Sequence, residues 1–258
     1  MSQDNTEFYN LLNEISTNQS FDLTLTNDRH VACKTLTTAQ LKELIKTIVD
    51  SPLTQVVFNS TATKILSQSV NLPKEEVMKL NVVDRLLFLI ETRIRSLTKV
   101  VEITHDNKKI QVNFETIIAK LHEQIKAHKD VFASKTFSDD KIKLTFSVPL
   151  LKTEMQMNDE LYKDTNVNAE NANELRSVLG EAFVNEIAKT INTIEINDKS
   201  LDLSTVTFKS RLKTIESLPA SLVQHVIEYI ESYKKIIDQC LDIEGYSVPI
   251  DGSLFSIR

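Results

Sequence analysis

Apolar and polar residues repeat along this chain with two different periods, and the switches between them mark out its elements. In TEFYNLLNEIST the apolar positions Phe8, Leu11, Leu12 and Ile15 recur at helical spacing, which predicts an amphipathic helix. FDLTLT (21–26) and HVACKTL (30–36) alternate with period two around the polar TNDR, the pattern of a β-hairpin. Thr37 followed by Gln40 is a capping-box start for the helix TTAQLKELIKTIVD, expected to stop before Ser51 and Pro52. Another helix is expected over about 53–70, and Pro73 with two acids behind it opens a short one at PKEEVMKL. VVDRLLFLIETRIRSL reads as a core helix, KVVEITH and KIQVNF as a hairpin around DNKK, and FETIIAKLHEQIKAH as a helix. VFASKTF and KIKLTFSVPLL supply more strand material.

The stretch 153–174, TEMQMNDELYKDTNVNAENANE, is rich in Asn, Asp and Glu. It places a boundary between an N-terminal α/β-hairpin domain, 1–152, and a helical C-terminal domain, 153–258. The second part continues with the amphipathic ELRSVLGEAFVNEIAKTI, a short strand TIEIND and a helix beginning in STVTFKSRLKTIESL. Pro219 opens the longest helix, with Val223, Val226, Ile227, Ile230, Tyr233 and Ile237 on one face. YSVPIDGSLFSIR is expected to form two strands about the turn Asp251 and Gly252, a short hairpin that ends the second domain. The fold class is therefore α+β, mostly helical, with short β-hairpins in both halves.

Composition narrows the chemistry. The chain has 258 residues, 41% hydrophobic and 26% charged, near the averages of globular domains. It holds three glycines, Gly180, Gly245 and Gly252, where roughly 18 would be usual. A phosphate-cradling loop needs several close together, so P-loop and Rossmann sites are excluded. A net charge of −6 disfavours general nucleic-acid binding, which draws on Lys and Arg displacing counterions. No stretch is apolar for long enough to span a membrane, and the polar start MSQDNTEFYN lacks the plan of a secretory signal. Cys33 and Cys240 belong to no C-x-x-C pair and read as buried, reduced thiols.

Candidate catalytic residues give way to simpler readings. His122 and His128 in LHEQIKAH are six apart, which turns them about 240 degrees from one another and away from a common metal. His105 with Asp106 serves a turn, and His30 and His225 read as structural. The carboxylates of Glu75 and Glu76, or Asp139 and Asp140, are adjacent and do not converge. Arg85, Arg93 and Arg95 on the apolar helix are expected to snorkel outward, and Tyr229 with Tyr233 to pack in a helix interface. No nucleophile elbow is present, so no enzyme activity, cofactor or metal is expected.

Several stretches, in order, resemble the T4-like bacteriophage baseplate hub and hub-assembly protein family. They are FDLTLTNDRHVACKTLTTAQLKELI, KLNVVDRLLFLIETRIRSL with VVEITHDNKKIQVNF, KIKLTFSVPLL, IESLPASLVQHVIEYIESYKK and YSVPIDGSLFSIR. Members look as if they hold two hairpins with C-x-x-C pairs. Here the corresponding turns read THDNKK and CLDIEGYSV, with Cys240 alone nearby, too few ligands for a structural zinc. Strand pairing and packing would hold the hairpins instead, with Phe114 and Phe255 as anchors. The resemblance implies a tail baseplate hub subunit or hub-assembly protein, in the virion and, during assembly, in the host cytoplasm. Its partners would be other hub or tail-tube proteins. An assembly chaperone absent from the virion is the alternative, and an uncharacterised enzyme the remoter one. Contacts are expected at the hairpin tip, Asp106, Asn107 and Lys108, and at the terminal segment, Leu254, Phe255 and Ile257.

Overall fold

The computed structural model describes residues 20–48, 54–139, 141–163 and 172–256. The helix expected about Phe8 to Ile15 lies outside them. The elements are β1 (Ser20–Thr24), β2 (His30–Lys34), α1 (Thr38–Ile45), α2 (Thr54–Ser69), α3 (Lys74–Val77), α4 (Val82–Ser96), β3 (Val100–His105) and β4 (Lys108–Asn113). Then come α5 (Phe114–Ala127), α6 (Lys129–Phe132), β5 (Lys135–Ser138), β6 (Ile142–Phe146), α7 (Leu151–Lys163) and α8 (Ala172–Thr190). The chain continues with β7 (Ile191–Ile196), β8 (Lys199–Asp202), α9 (Phe208–Glu216), α10 (Ala220–Leu241), β9 (Asp242–Ile243) and β10 (Tyr246–Ser247). A 3-10 turn over Gly252–Phe255 ends it. The class is α+β and mostly helical, as the patterning requires.

Four antiparallel hairpins share one device. Their turns contain residues with positive φ: Asp28, Asp106 with Asn107, Asn197 with Asp198, and Glu244 with Gly245. Left-handed backbone usually calls for glycine, and Asp and Asn tolerate it best among the other residues. A chain with three glycines therefore builds three of these turns from Asp and Asn and the fourth from Glu244 and Gly245, and these turns set the strand registers.

The described residues group into two compact units. One comprises 20–77, 83–122 and 240–256. Its central element is α4, where Val83 to Ile90 are all buried. A helix buried all round must satisfy its polar residues internally. Asp84 Oδ1 accepts a hydrogen bond from the Thr26 amide at 2.8 Å, and Arg85 donates to Thr63 Oγ1 at 3.1 Å. Arg93 lies 5.2 Å from the centre of the Phe114 ring, and burial pulls its pKa down. Arg85 and Arg93 stay inside, against the expectation of snorkelling, Arg85 with an oxygen partner and Arg93 over a ring face with its Nε lacking a hydrogen-bond partner. Around α4 lie the sheet β1–β2, with Phe21 opposite Cys33 and Leu23 opposite Val31, and the sheet β3–β4, with Ile103 opposite Ile110. The capping box of α1 forms as expected, Gln40 N donating to Thr37 Oγ1 at 3.3 Å and Thr37 N to Gln40 Oε1 at 3.0 Å.

The chain end differs from its sequence reading. The last hairpin turns at Glu244 and Gly245, pairing Tyr246 with Ile243. Asp251 instead caps the 3-10 turn, its carboxylate accepting from Ser253 N at 2.7 Å. Gly252 sits hard against α1: a Cβ there would lie 2.7 Å from the Leu44 carbonyl oxygen and 2.6 Å from Ile48 Cγ1. Gly252→Ala is expected to destabilise the fold by about 1–3 kcal/mol, since a carbonyl in a helix cannot yield. Gly180→Ala, in α8 with open space around it, should stabilise by about 1 kcal/mol. Urea unfolding of the two variants beside the parent checks the opposite signs.

The other unit comprises 78–82 and 123–239. Its sheet has the order β5-β6-β7-β8, antiparallel throughout. The pairing of β6 with β7 sets Leu144 opposite Ile194 across two intervening helices. The first of these, α7, runs helical into the polar stretch expected to hold the domain boundary. One sheet face carries Phe137, Leu144, Ile194 and Leu201 by register, and Phe146 packs edge-on against Tyr229 of α10 at 5.1 Å. Tyr229 and Tyr233 are buried, as their i, i+4 spacing suggests. At the end of α8 the guanidinium of Arg211 is buried among the carbonyl oxygens of Ala188, Ile191 and Leu203.

Candidate partner-binding surfaces

The β3–β4 tip is built by register. His105 pairs with Lys108, leaving Asp106 and Asn107 in the two left-handed positions. Asp106, Asn107 and Lys108 are all exposed. His105 Nε2 lies 3.6 Å from Asp106 Oδ2, and its ring makes an edge-on contact at 5.3 Å with Tyr246, whose hairpin thereby braces the tip. On the outer face Lys109 binds Glu102 at 2.7 Å, a hydrogen bond that raises the lysine pKa. The arrangement is an exposed tip with both charge signs at its end.

The terminal segment is placed differently. Leu254 is buried and Phe255 fully so, while Ile257 lies outside the described residues. Phe114 is also buried, so both aromatic anchors sit in the interior of their unit. The tip and the final turn are thus unlike in kind: one projects and the other packs.

The sequence pointed to no residue of a groove between β7–β8 and α9. Its volume is about 720 Å3, and its walls include Ile194, Ile196, Lys199, Leu201, Lys213 and Leu218. Ile196 and Leu201 are 44% and 37% exposed, whereas Leu144 and Ile194 on the same sheet face are covered. The signal was present in IEINDKSL: two alternating runs joined by Asn-Asp put Ile196 and Leu201 on one face once β8 is recognised as a strand.

Burial lowers the His122 pKa, with Glu91 opposing it, and His225 stacks on Phe137 with ring centres 4.0 Å apart. Among the described residues no three His, Cys, Asp or Glu side chains gather as a metal site requires, and no helix is long and apolar enough to cross a membrane. Cys33 and Cys240 are buried and form no disulfide. Burial first, then the nearby Asp22 and Glu91, pushes the Cys33 thiol up to about 12, far from the thiolate that reagents attack. Ellman's reagent is expected to find no fast thiol in the native chain and both in denaturant; rapid native reaction would contradict the burial.

A family described as T4 bacteriophage base plate protein matches residues 17–243. No curated protein and no solved structure matches the chain.

Proposed function

Because that match spans most of its length, the chain belongs to the T4 bacteriophage base plate protein family, and on this premise we propose that it serves the baseplate hub, as a hub subunit or hub-assembly protein. It acts by binding other hub or tail-tube proteins in the host cytoplasm and in the tail, without turnover chemistry. The family match across 17–243 carries this reading. The exposed β3–β4 tip supports it with a contact point, since Asp106, Asn107 and Lys108 can meet a partner without disturbing the core.

Quantitative mass spectrometry of purified particles beside infected-cell lysate tests it. A small fixed copy number per tail makes the chain a hub subunit. Abundance in lysate with none in particles makes it an assembly factor. Failure to co-purify with any tail protein overturns the proposal. Removing one tip charge and reversing the other, Asp106→Asn with Lys108→Glu, should weaken tail-protein recovery by roughly tenfold while leaving the unfolding midpoint unchanged, since Asn keeps the left-handed position and charges at an interface rim act on association.

A further inference from the structure

We propose that the groove between β7–β8 and α9 binds a short peptide segment carrying aliphatic side chains and carboxylates; resting on the baseplate reading, that segment belongs to another baseplate protein. Three features of its walls specify this chemistry.

The first wall is apolar. Register places Ile196 opposite Lys199 and Ile194 opposite Leu201, so these four residues share a face with the buried Leu144. That face stays covered as far as Ile194 and then opens, leaving Ile196 and Leu201 to solvent. Apolar side chains at the limit of a sheet's cover gain free energy when an aliphatic group displaces water from them.

The second wall is polar where packing would make it apolar. Along α9 the residues lining the groove are Ser210, Lys213, Thr214 and Ser217, at positions i, i+3, i+4 and i+7. A helix face turned to a sheet at this spacing normally supplies Leu, Ile or Val. Here small hydroxyls keep the walls apart. Two of these hydroxyls donate inward, Thr214 Oγ1 to Ser210 O at 2.8 Å and Ser217 Oγ to Lys213 O at 2.7 Å. Their oxygens are left to accept, and the N–H groups of a peptide backbone match them, whereas a fatty acyl chain has no N–H to offer.

The third feature is charge. The groove lining contains Lys199 and Lys213 and no carboxylate, in a chain whose net charge is −6. Neither lysine is in an ion pair among the described residues. A carboxylate-bearing segment therefore finds both of its counter-charges in place.

The probe is a fluorescein-labelled eight-residue peptide of alternating leucine and glutamate, titrated into the full chain and followed by anisotropy. Saturable binding is expected, weakened at least tenfold by Leu201→Glu and by Lys213→Glu. Lys213 is exposed, so its variant's unfolding midpoint should stay at the parent value, while Leu201, 37% exposed, loses some apolar cover and its variant is titrated at a temperature where unfolding curves show it folded. A peptide with lysine in place of glutamate should bind at least tenfold more weakly than the first. Absence of binding to the parent, equal binding to the variants, or equal binding of the lysine peptide overturns the proposal. So does displacement of the probe by decanoate at equal concentration, which assigns the groove to an acyl chain. A doubled mass in light scattering that Leu201→Glu returns to the monomer overturns it in favour of a second copy. The titration decides the groove and particle composition decides the baseplate role, so either can fail with the other standing.

Discussion

Arg211→Met is expected to lower the stability of its unit by about 3 kcal/mol or more, the largest effect of any single polar substitution in that unit. The guanidinium donates through Nε to Ala188 O at 2.9 Å, through Nη2 to Ala188 O at 2.6 Å and Ile191 O at 2.8 Å, and through Nη1 to Leu203 O at 3.2 Å. Ala188 lies in the last turn of α8, where carbonyls have no partner within the helix, and Ile191 opens β7 with no loop between them. Arg211 therefore serves as the cap that a loop would otherwise provide. Its own burial is costly, and desolvation lowers its pKa to about 10, but at any ordinary pH it remains a cation.

Methionine keeps much of the volume and removes every donor, leaving three buried carbonyls at about 1–3 kcal/mol each before water reaches any of them. Arg211→Lys should recover less than half of the loss, because a single ammonium cannot span three oxygens set around a planar fork. Urea unfolding gives the size of the effect, and amide exchange at the α8–β7 junction gives its place. An unchanged midpoint for Arg211→Met would show that the carbonyls find water without cost.

Phe255→Ala is expected to destabilise the other unit by about 3–5 kcal/mol, the usual cost of emptying an aromatic site in a core. Phe255 is fully buried, and the 3-10 turn that presents it is fixed by the Asp251 cap and by the close approach of Gly252 to Leu44. A partner contact at the same residue would leave stability unchanged and lower only binding. The measurement is again the unfolding midpoint, with Phe255→Leu as the conservative comparison, expected to lose less than half as much. A full-strength midpoint for Phe255→Ala would return this residue to the surface reading.

These two residues mark where sequence reading is strong and where it ends. The hairpin FDLTLT with HVACKTL, the capping box of Thr37 and Gln40, the core helix at VVDRLLFLIETRIRSL and the long helix after Pro219 are all local. Their periods and caps act within a few residues, so they can be read directly. The tip at Asp106 and Asn107 was equally legible, because left-handed turn positions in a glycine-poor chain fall to Asp and Asn.

The sheet β5-β6-β7-β8 was not legible as a sheet, since the pairing of Leu144 with Ile194 joins strands separated by two helices. The groove beside it inherits the same limit. Ile196, Leu201 and Lys213 become a surface only after β8 pairs and α9 turns its hydroxyl face toward them. Arg211 gave no sign of its burial, and Phe255 was read both as a packing anchor and as a partner contact, because a side chain's burial depends on which carbonyls and helices the rest of the fold brings to it. Short-range spacing and order along the chain were enough for the capped helices, the hairpins around TNDR and DNKK, and the family. Tertiary structure alone decided which charges are interior, which aromatics are core and which apolar residues remain open to a partner, because each depends on contacts between distant segments.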